Sequence, residues 1–157
     1  MKRTLLGIVV AAASITACKG GASQNIVGPE LFTYTATSQV TSTSPMRFQT
    51  TVTVRNPTTD EIEFDLSPCN HPRVLVYSTA ARTGTAVWDS NSRAIACSLP
   101  ITTVRLAGGA SVSYTQTVTG AEVLGPSGSA GTYYITDEVA LSGIVARVNA
   151  GQVNLTR

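Results

Sequence analysis

Residues 47–66 read RFQTTVTVRNPTTDEIEFDL, and the period of this stretch is two. Phe48, Thr50, Val52 and Val54 alternate with Arg47, Gln49, Thr51 and Thr53, and then Ile62, Phe64 and Leu66 alternate with Glu61, Glu63 and Asp65. Successive side chains of a strand point to opposite faces, so each run has one dry face and one wet face. Between them, Asn56-Pro57-Thr58-Thr59-Asp60 has the chemistry of a turn: an asparagine that can fold onto its own backbone, and a proline that presets its backbone angle. The two runs are therefore expected to form a hairpin-like unit.

The same period continues outward. Val112, Tyr114, Gln116 and Val118 alternate with Ser111, Ser113, Thr115 and Thr117, after a turn at Gly108-Gly109 that follows Val104 and Leu106. Val74 to Tyr77 and Ala86 to Trp88 are short apolar runs, Thr132 to Ala140 and Ile144 to Val148 are further strand candidates, and Val153 with Leu155 marks a last one. Threonine, valine and tyrosine dominate, which suits a pleated, half-buried surface. Helical periodicity is missing after the first twenty residues, and Ala121 to Leu124 is one turn at most. The GPSGSAG stretch, 125–131, reads as a flexible loop. About eight short strands separated by turn signals predict an all-β fold, a single immunoglobulin-like antiparallel β-sandwich over residues 30–157.

The N-terminus is of another kind. MKRTLLGIVVAAASITACKGG has a positive start at Lys2 and Arg3 and an uncharged apolar run from Leu5 to Ala13. That run is too short for a hydrocarbon core, which takes about 20 residues. This is the layout of a secretory signal. Its end, Ile15-Thr16-Ala17-Cys18, resembles the bacterial lipobox. The resemblance implies removal of residues 1–17, a diacylglyceryl group on the Cys18 thiol and further acylation of its amine. Two or more chains hold a protein stably on a bilayer where one does not. Residues 18–29, rich in glycine and small polar residues, would be the lipidated tether, with a reach of roughly 18 Å. The expected location is the bacterial cell envelope. Lys19, where an aspartate resembles an inner-membrane retention signal, favours the outer membrane over the inner.

Processing changes the charge. Two of the 11 basic residues, Lys2 and Arg3, leave with the signal, while all 9 acidic residues lie beyond it, so the mature chain is near neutral. A neutral surface without basic clusters excludes nucleic acid as an expected partner. Of the 3 cysteines, Cys18 is taken by lipid, which leaves Cys69 and Cys97 as an even pair in an exported protein. They read as one disulfide, worth roughly 3.5 kcal/mol for the loop it closes.

Candidate chemistry is sparse. His71, the 1 histidine, lies in Pro68-Cys69-Asn70-His71-Pro72. With Cys69 and Cys97 it would offer three zinc ligands, but only with both thiols reduced, so no metal site and no cofactor are expected. A Ser-His-Asp arrangement from His71, Asp89 and a serine lacks the Gly-x-Ser-x-Gly elbow, and no catalytic residue is assigned. Glu61, Glu63 and Asp65, two apart, share one strand face and read as a solvated face rather than paired catalytic carboxylates. Trp88, the sole tryptophan, is expected in the core against the disulfide. Tyr133 and Tyr134 are expected on opposite faces, one in the core and the other exposed.

One family resemblance emerges from the order of these features. The Asn56-centred turn, the Val87-Trp88 strand, Leu106-Ala107-Gly108-Gly109-Ala110-Ser111 before an alternating strand, and Gly131-Thr132-Tyr133 near the end resemble the intracellular proteinase inhibitor (BsuPI) family over about residues 46–140. That family is built on small immunoglobulin-like sandwiches. Gly108 stands where the family has proline and Ala110 where it has glutamate. The expected function is a lipid-anchored, non-catalytic module that binds another envelope protein. The resemblance implies the alternative, inhibition of an extracytoplasmic protease, with loops 79–86 and 120–131 as candidate docking loops by length; no binding residue is assigned.

Overall fold

The computed structural model describes residues 31–66, 72–92 and 101–157. Among them are nine strands: β1 Thr33–Thr43, β2 Met46–Arg55, β3 Ile62–Leu66, β4 Arg73–Tyr77, β5 Trp88–Asp89, β6 Thr102–Leu106, β7 Ser111–Thr119, β8 Gly131–Leu141 and β9 Ile144–Leu155. One short helix, α1 Gly120–Leu124, follows β7. It is the single turn read at Ala121 to Leu124, and it is held by a capping box in which Thr119 and Glu122 satisfy each other's backbone amides.

The strands form two antiparallel sheets. The smaller has the order β1-β2-β7. In the larger, β8 is the spine. It pairs with β9 along its whole length, from Gly131↔Leu155 to Leu141↔Ile144. On its other side it meets β4, from Arg73↔Glu138 to Tyr77↔Tyr134, and then the end of β3 at Leu66↔Leu141. Thus β3 and β4 follow one another along one side of β8, with β6 outside β3 and β5 outside β4. The expected all-β antiparallel sandwich is the fold.

Two local expectations are corrected. The stretch 47–66 is not a hairpin, because β2 and β3 lie in different sheets and the turn between them crosses the sandwich. Its alternation was read correctly, but two dry faces meet as well across a core as side by side in one sheet, and periodicity alone does not distinguish the two. The last two strand candidates are one strand. β9 runs through Gly151, whose φ of +95° belongs to glycine, at a shift in the β8 register between Ile135 and Thr136.

The inward faces make two apolar clusters. The first gathers Phe48, Val118, Ile135 and Leu155 with Val74 and Val76. The second gathers Val52, Val54, Phe64, Leu106, Val139 and Leu141 with Phe32. Between them lies a polar belt, one residue from each of three strands. On β2, Thr50 separates Phe48 from Val52, and on β8, Asp137 separates Ile135 from Val139. On β7, Gln116 stands opposite Thr50 in the ladder, between Tyr114 and Val118.

Candidate functional site

Cys18, Cys69, His71 and Cys97 lie outside the described residues, so the lipid anchor, the disulfide and the histidine remain expectations from sequence. Among the described residues no group of three or more His, Cys, Asp or Glu side chains gathers as metal ligands would. No described helix is long and apolar enough to cross a membrane.

Asp89 is committed elsewhere than to a triad. Both its oxygens accept from one guanidinium: Arg73 Nε donates to Oδ1 at 3.0 Å and Nη2 to Oδ2 at 2.5 Å. The remaining Arg73 nitrogen, Nη1, donates to Glu138 Oε2 at 2.8 Å, and Arg147 Nε reaches Glu138 Oε1 at 2.6 Å. Four charges thus bridge β5, β4, β8 and β9 on the outer face of the larger sheet. The hydrogen bonds from Arg73 hold the Asp89 carboxyl below its ordinary range, in spite of partial burial, and Asp89 in turn raises the Arg73 guanidinium. A bidentate pair backed by a second carboxylate is structural fastening. Arg73, Glu138 and Arg147 were not legible as partners, because Arg73 and Glu138 are 65 residues apart.

Glu61, Glu63 and Asp65 sit on the exposed face, as the alternation implied. Glu63 accepts from Arg105 and Asp65 accepts from Thr103, both across the β3/β6 ladder. Trp88 packs half-buried against the first apolar cluster, and so does Tyr133, whose hydroxyl donates to the Ser129 carbonyl at 2.7 Å. Tyr134 faces the other way, but it is half-buried rather than exposed, because Arg82 lies 5.3 Å above its ring. Arg82 also donates to the Ala80 and Gly151 carbonyls, so loop 79–86 is turned down onto the sheet. The 125–131 loop is likewise tied: Arg157 donates to the Pro126 and Gly128 carbonyls.

Two of the motifs that carried the family resemblance, the Asn56 turn and the 106–111 turn, meet in space. Asn56 is fully enclosed. Its Nδ2 reaches the carbonyls of Asp60 at 2.8 Å, Leu106 at 2.9 Å and Ala107 at 3.2 Å. Its backbone N–H donates to the Ala110 carbonyl, and Gly109 N–H donates to the Asn56 carbonyl. Gly108 fits here because a Cβ on it would fall 2.2 Å from the Thr59 carbonyl oxygen.

The outer face of the smaller sheet is a regular surface of hydroxyl and amide side chains. Its cross-strand ranks are Thr35–Thr53–Ser113, Thr37–Thr51–Thr115 and Gln39–Gln49–Thr117. Hydroxyl contacts link Thr53 to Ser113 at 2.7 Å and Thr51 to Thr115 at 3.1 Å. Arg47 and Arg55 bracket this face, and no carboxylate lies on it among the described residues. One border of the face is β7, which pairs with β2 alone.

Sheet edges are usually protected by shortness, charge, proline or a bulge. β5 has 2 residues. β6 has 5 and carries Arg105. β1 is bulged between Val40 and Ser42. β9 has its irregularity at Gly151 and carries Arg147. β7 has 9 residues, SVSYTQTVT, with no charge and no proline. Its register with β2 is unbroken from Arg47↔Thr119 to Arg55↔Ser111. Among the described strands it is the unprotected edge.

Comparison with known proteins adds little. No protein-family model matches the chain, nor does any curated protein. Similar solved structures include a β-glucosidase from Listeria innocua in complex with glucose, 12% identical over 79% of this chain and 17% of that one, with a TM-score of 0.36. A β-glucosidase from Erythrobacter marinus is 13% identical over 76% of this chain and 15% of that one, with a TM-score of 0.38. The structural genomics target SoR45 is 12% identical over 82% of this chain and 88% of that one, with a TM-score of 0.35. The chain therefore spans under a fifth of the length of these β-glucosidases. At such scores the likenesses bear on neither activity nor partner.

Proposed function

We propose that this chain is a lipid-anchored cell-envelope lipoprotein whose sandwich is a non-catalytic protein-binding module, and that it takes its partner by strand addition at β7. The observation that supports this reading is the contrast among the edges: four carry a protective device and β7 carries none. A partner segment in extended conformation would complete the open row of backbone donors and acceptors. The uncharged Ser and Thr side chains of β7 pose no electrostatic obstacle to its approach. The Cys18 anchor would hold the module near its membrane, where a weak edge contact gains from high effective concentration.

The test has two arms. Radiolabelled fatty acid is expected in the wild-type protein and not in Cys18→Ala; labelling of both removes the anchor. In the full-length protein in its own membrane, a photo-crosslinking residue at Thr115 is expected to trap a protein that a probe at Glu61 does not. Ser113→Lys combined with Thr117→Lys is expected to abolish that adduct. An adduct of equal yield from Glu61, or one indifferent to the two lysines, sinks the edge assignment. A protease as the trapped protein, slowed by the complex, would make inhibition the specific form of this binding.

A further inference from the structure

The polar belt contains a carboxyl group with too few partners for a charge. Asp137 is 0% exposed. Its Oδ2 lies 2.5 Å from Thr50 Oγ1, and its Oδ1 has no hydrogen-bond partner. Thr50 Oγ1 also lies 3.3 Å from the Thr37 carbonyl oxygen. A hydroxyl has one proton to donate. With Asp137 ionised, Thr50 must give that proton to the carboxylate and abandon the Thr37 carbonyl, and an enclosed charge is left with one hydrogen bond. With Asp137 protonated, both contacts are satisfied in sequence. Asp137 donates to Thr50, and Thr50 donates to the Thr37 carbonyl.

No cation among the described residues compensates the charge. β2, β3, β4, β6 and β9 present no titratable side chain on their inward faces. β1 and β7 present phenols, Tyr34 and Tyr114, which burial pushes further toward the neutral form. Arg73 and Arg147 bind Glu138, the next residue of β8, and so lie on the opposite face of the sheet.

We propose that Asp137, Thr50 and the Thr37 carbonyl form a buried proton-holding latch between the two sheets, closed when Asp137 carries its proton and loosened when it loses it. Burial pushes the Asp137 carboxyl up to about 6, and the Thr50 hydrogen bond pulls the other way. A folded-state pKa above the unfolded value means that the folded chain binds more protons in the interval between the two. Stability therefore rises as pH falls from about 6 to about 4, and it is lost as pH rises through about 6. The sandwich is tighter in mildly acidic surroundings than in alkaline ones.

The measurement is urea unfolding of the full-length lipoprotein in detergent micelles from pH 5 to pH 8, for the wild type and Asp137→Asn. Asparagine keeps a donor toward Thr50 and cannot ionise. The wild-type folding constant is expected to drop by roughly tenfold across this range, with its inflection near 6. Asp137→Asn, which ionises in neither the folded nor the unfolded chain, is expected to exceed the wild type by about tenfold more at pH 8 than at pH 5. Any other group that titrates in this range is common to both proteins and cancels in their difference. Parallel pH profiles overturn the latch. If Asp137→Asn does not fold, the carboxyl 13C shift of Asp137 in the wild type decides: a midpoint of 5 or above supports the latch, and one below 5 overturns it.

Discussion

Asn56 and Asp137 are both fully enclosed polar residues, and both hold one sheet to the other. Their surroundings differ in one respect. Asn56 has a carbonyl for every donor it owns, and its Oδ1 accepts from Thr58 N–H at 3.0 Å and Thr58 Oγ1 at 2.7 Å. Asp137 has Thr50 and a bare oxygen. A buried polar group whose capacity is filled is a fastener, fixed across the pH range. One whose capacity is half filled is stable in only one of its protonation states. The same fold thus contains a permanent clasp at the turn between β2 and β3 and a conditional one in mid-core.

The sharpest way to break this comparison is at the clasp. Asn56→Ala strands the Leu106 and Ala107 carbonyls and frees the turn, and it is expected to cost about 3 kcal/mol, with no change in the shape of the pH profile. Urea unfolding at pH 5 and pH 8 checks both parts. A loss that depended on pH would mean that Asn56 and Asp137 report on one coupled network, and the distinction between them would fail.

A smaller effect is expected at the ion network, and with the opposite sign of pH dependence. Arg73 holds the Asp89 carboxyl down. The stability this provides is present above the ordinary carboxylate pKa of about 4 and is lost as pH falls below it. Arg73→Ala is expected to cost about 1–2 kcal/mol at neutral pH, reduced from the buried-pair range because Arg73 and Asp89 both reach water. It is also expected to flatten the acid limb of the profile below pH 4 while leaving the alkaline limb untouched. Acid limb and alkaline limb then belong to opposite faces of the larger sheet, and maximum stability lies between them.

Much of this was legible in the chain. The alternation around 47–66 placed Thr50 with Phe48 and Val52 on a dry face, and that around 111–118 placed Gln116 with Tyr114 and Val118. Two of the three belt residues could thus be read inward before any coordinates. Asp137 was harder. Thr136-Asp137-Glu138 reads as a polar interruption, yet Ile135, Val139 and Leu141 set the phase of the strand, and that phase puts Asp137 inside and Glu138 outside. The signal was present, but the composition of three adjacent polar residues masked it. Pairings between sheets were not legible at all. Which strand the Asn56 turn delivers to which sheet depends on contacts about 50 residues away, at Leu106 and Ala107, and no local period encodes them. The β7 edge was visible as a strand, but its lack of protection appears only once its neighbours are known.

The least effect is expected where a charge pair is most exposed. Glu63 and Arg105 face each other across β3 and β6 at 3.0 Å, with side chains 55% and 69% exposed. Water screens both ends, and two long side chains must be ordered to make the contact, so Arg105→Ala is expected to change stability by less than about 0.5 kcal/mol. Arg105 also carries the charge on the β6 edge, and shielding an edge does not require a strong pair. The substitution therefore separates two quantities. Unfolding free energy should barely move, while the tendency to self-associate, followed by light scattering at high protein concentration, should rise. A large loss of stability with unchanged association would reverse both expectations. It would also show that exposed pairs on this sheet fasten as firmly as the half-buried network around Glu138.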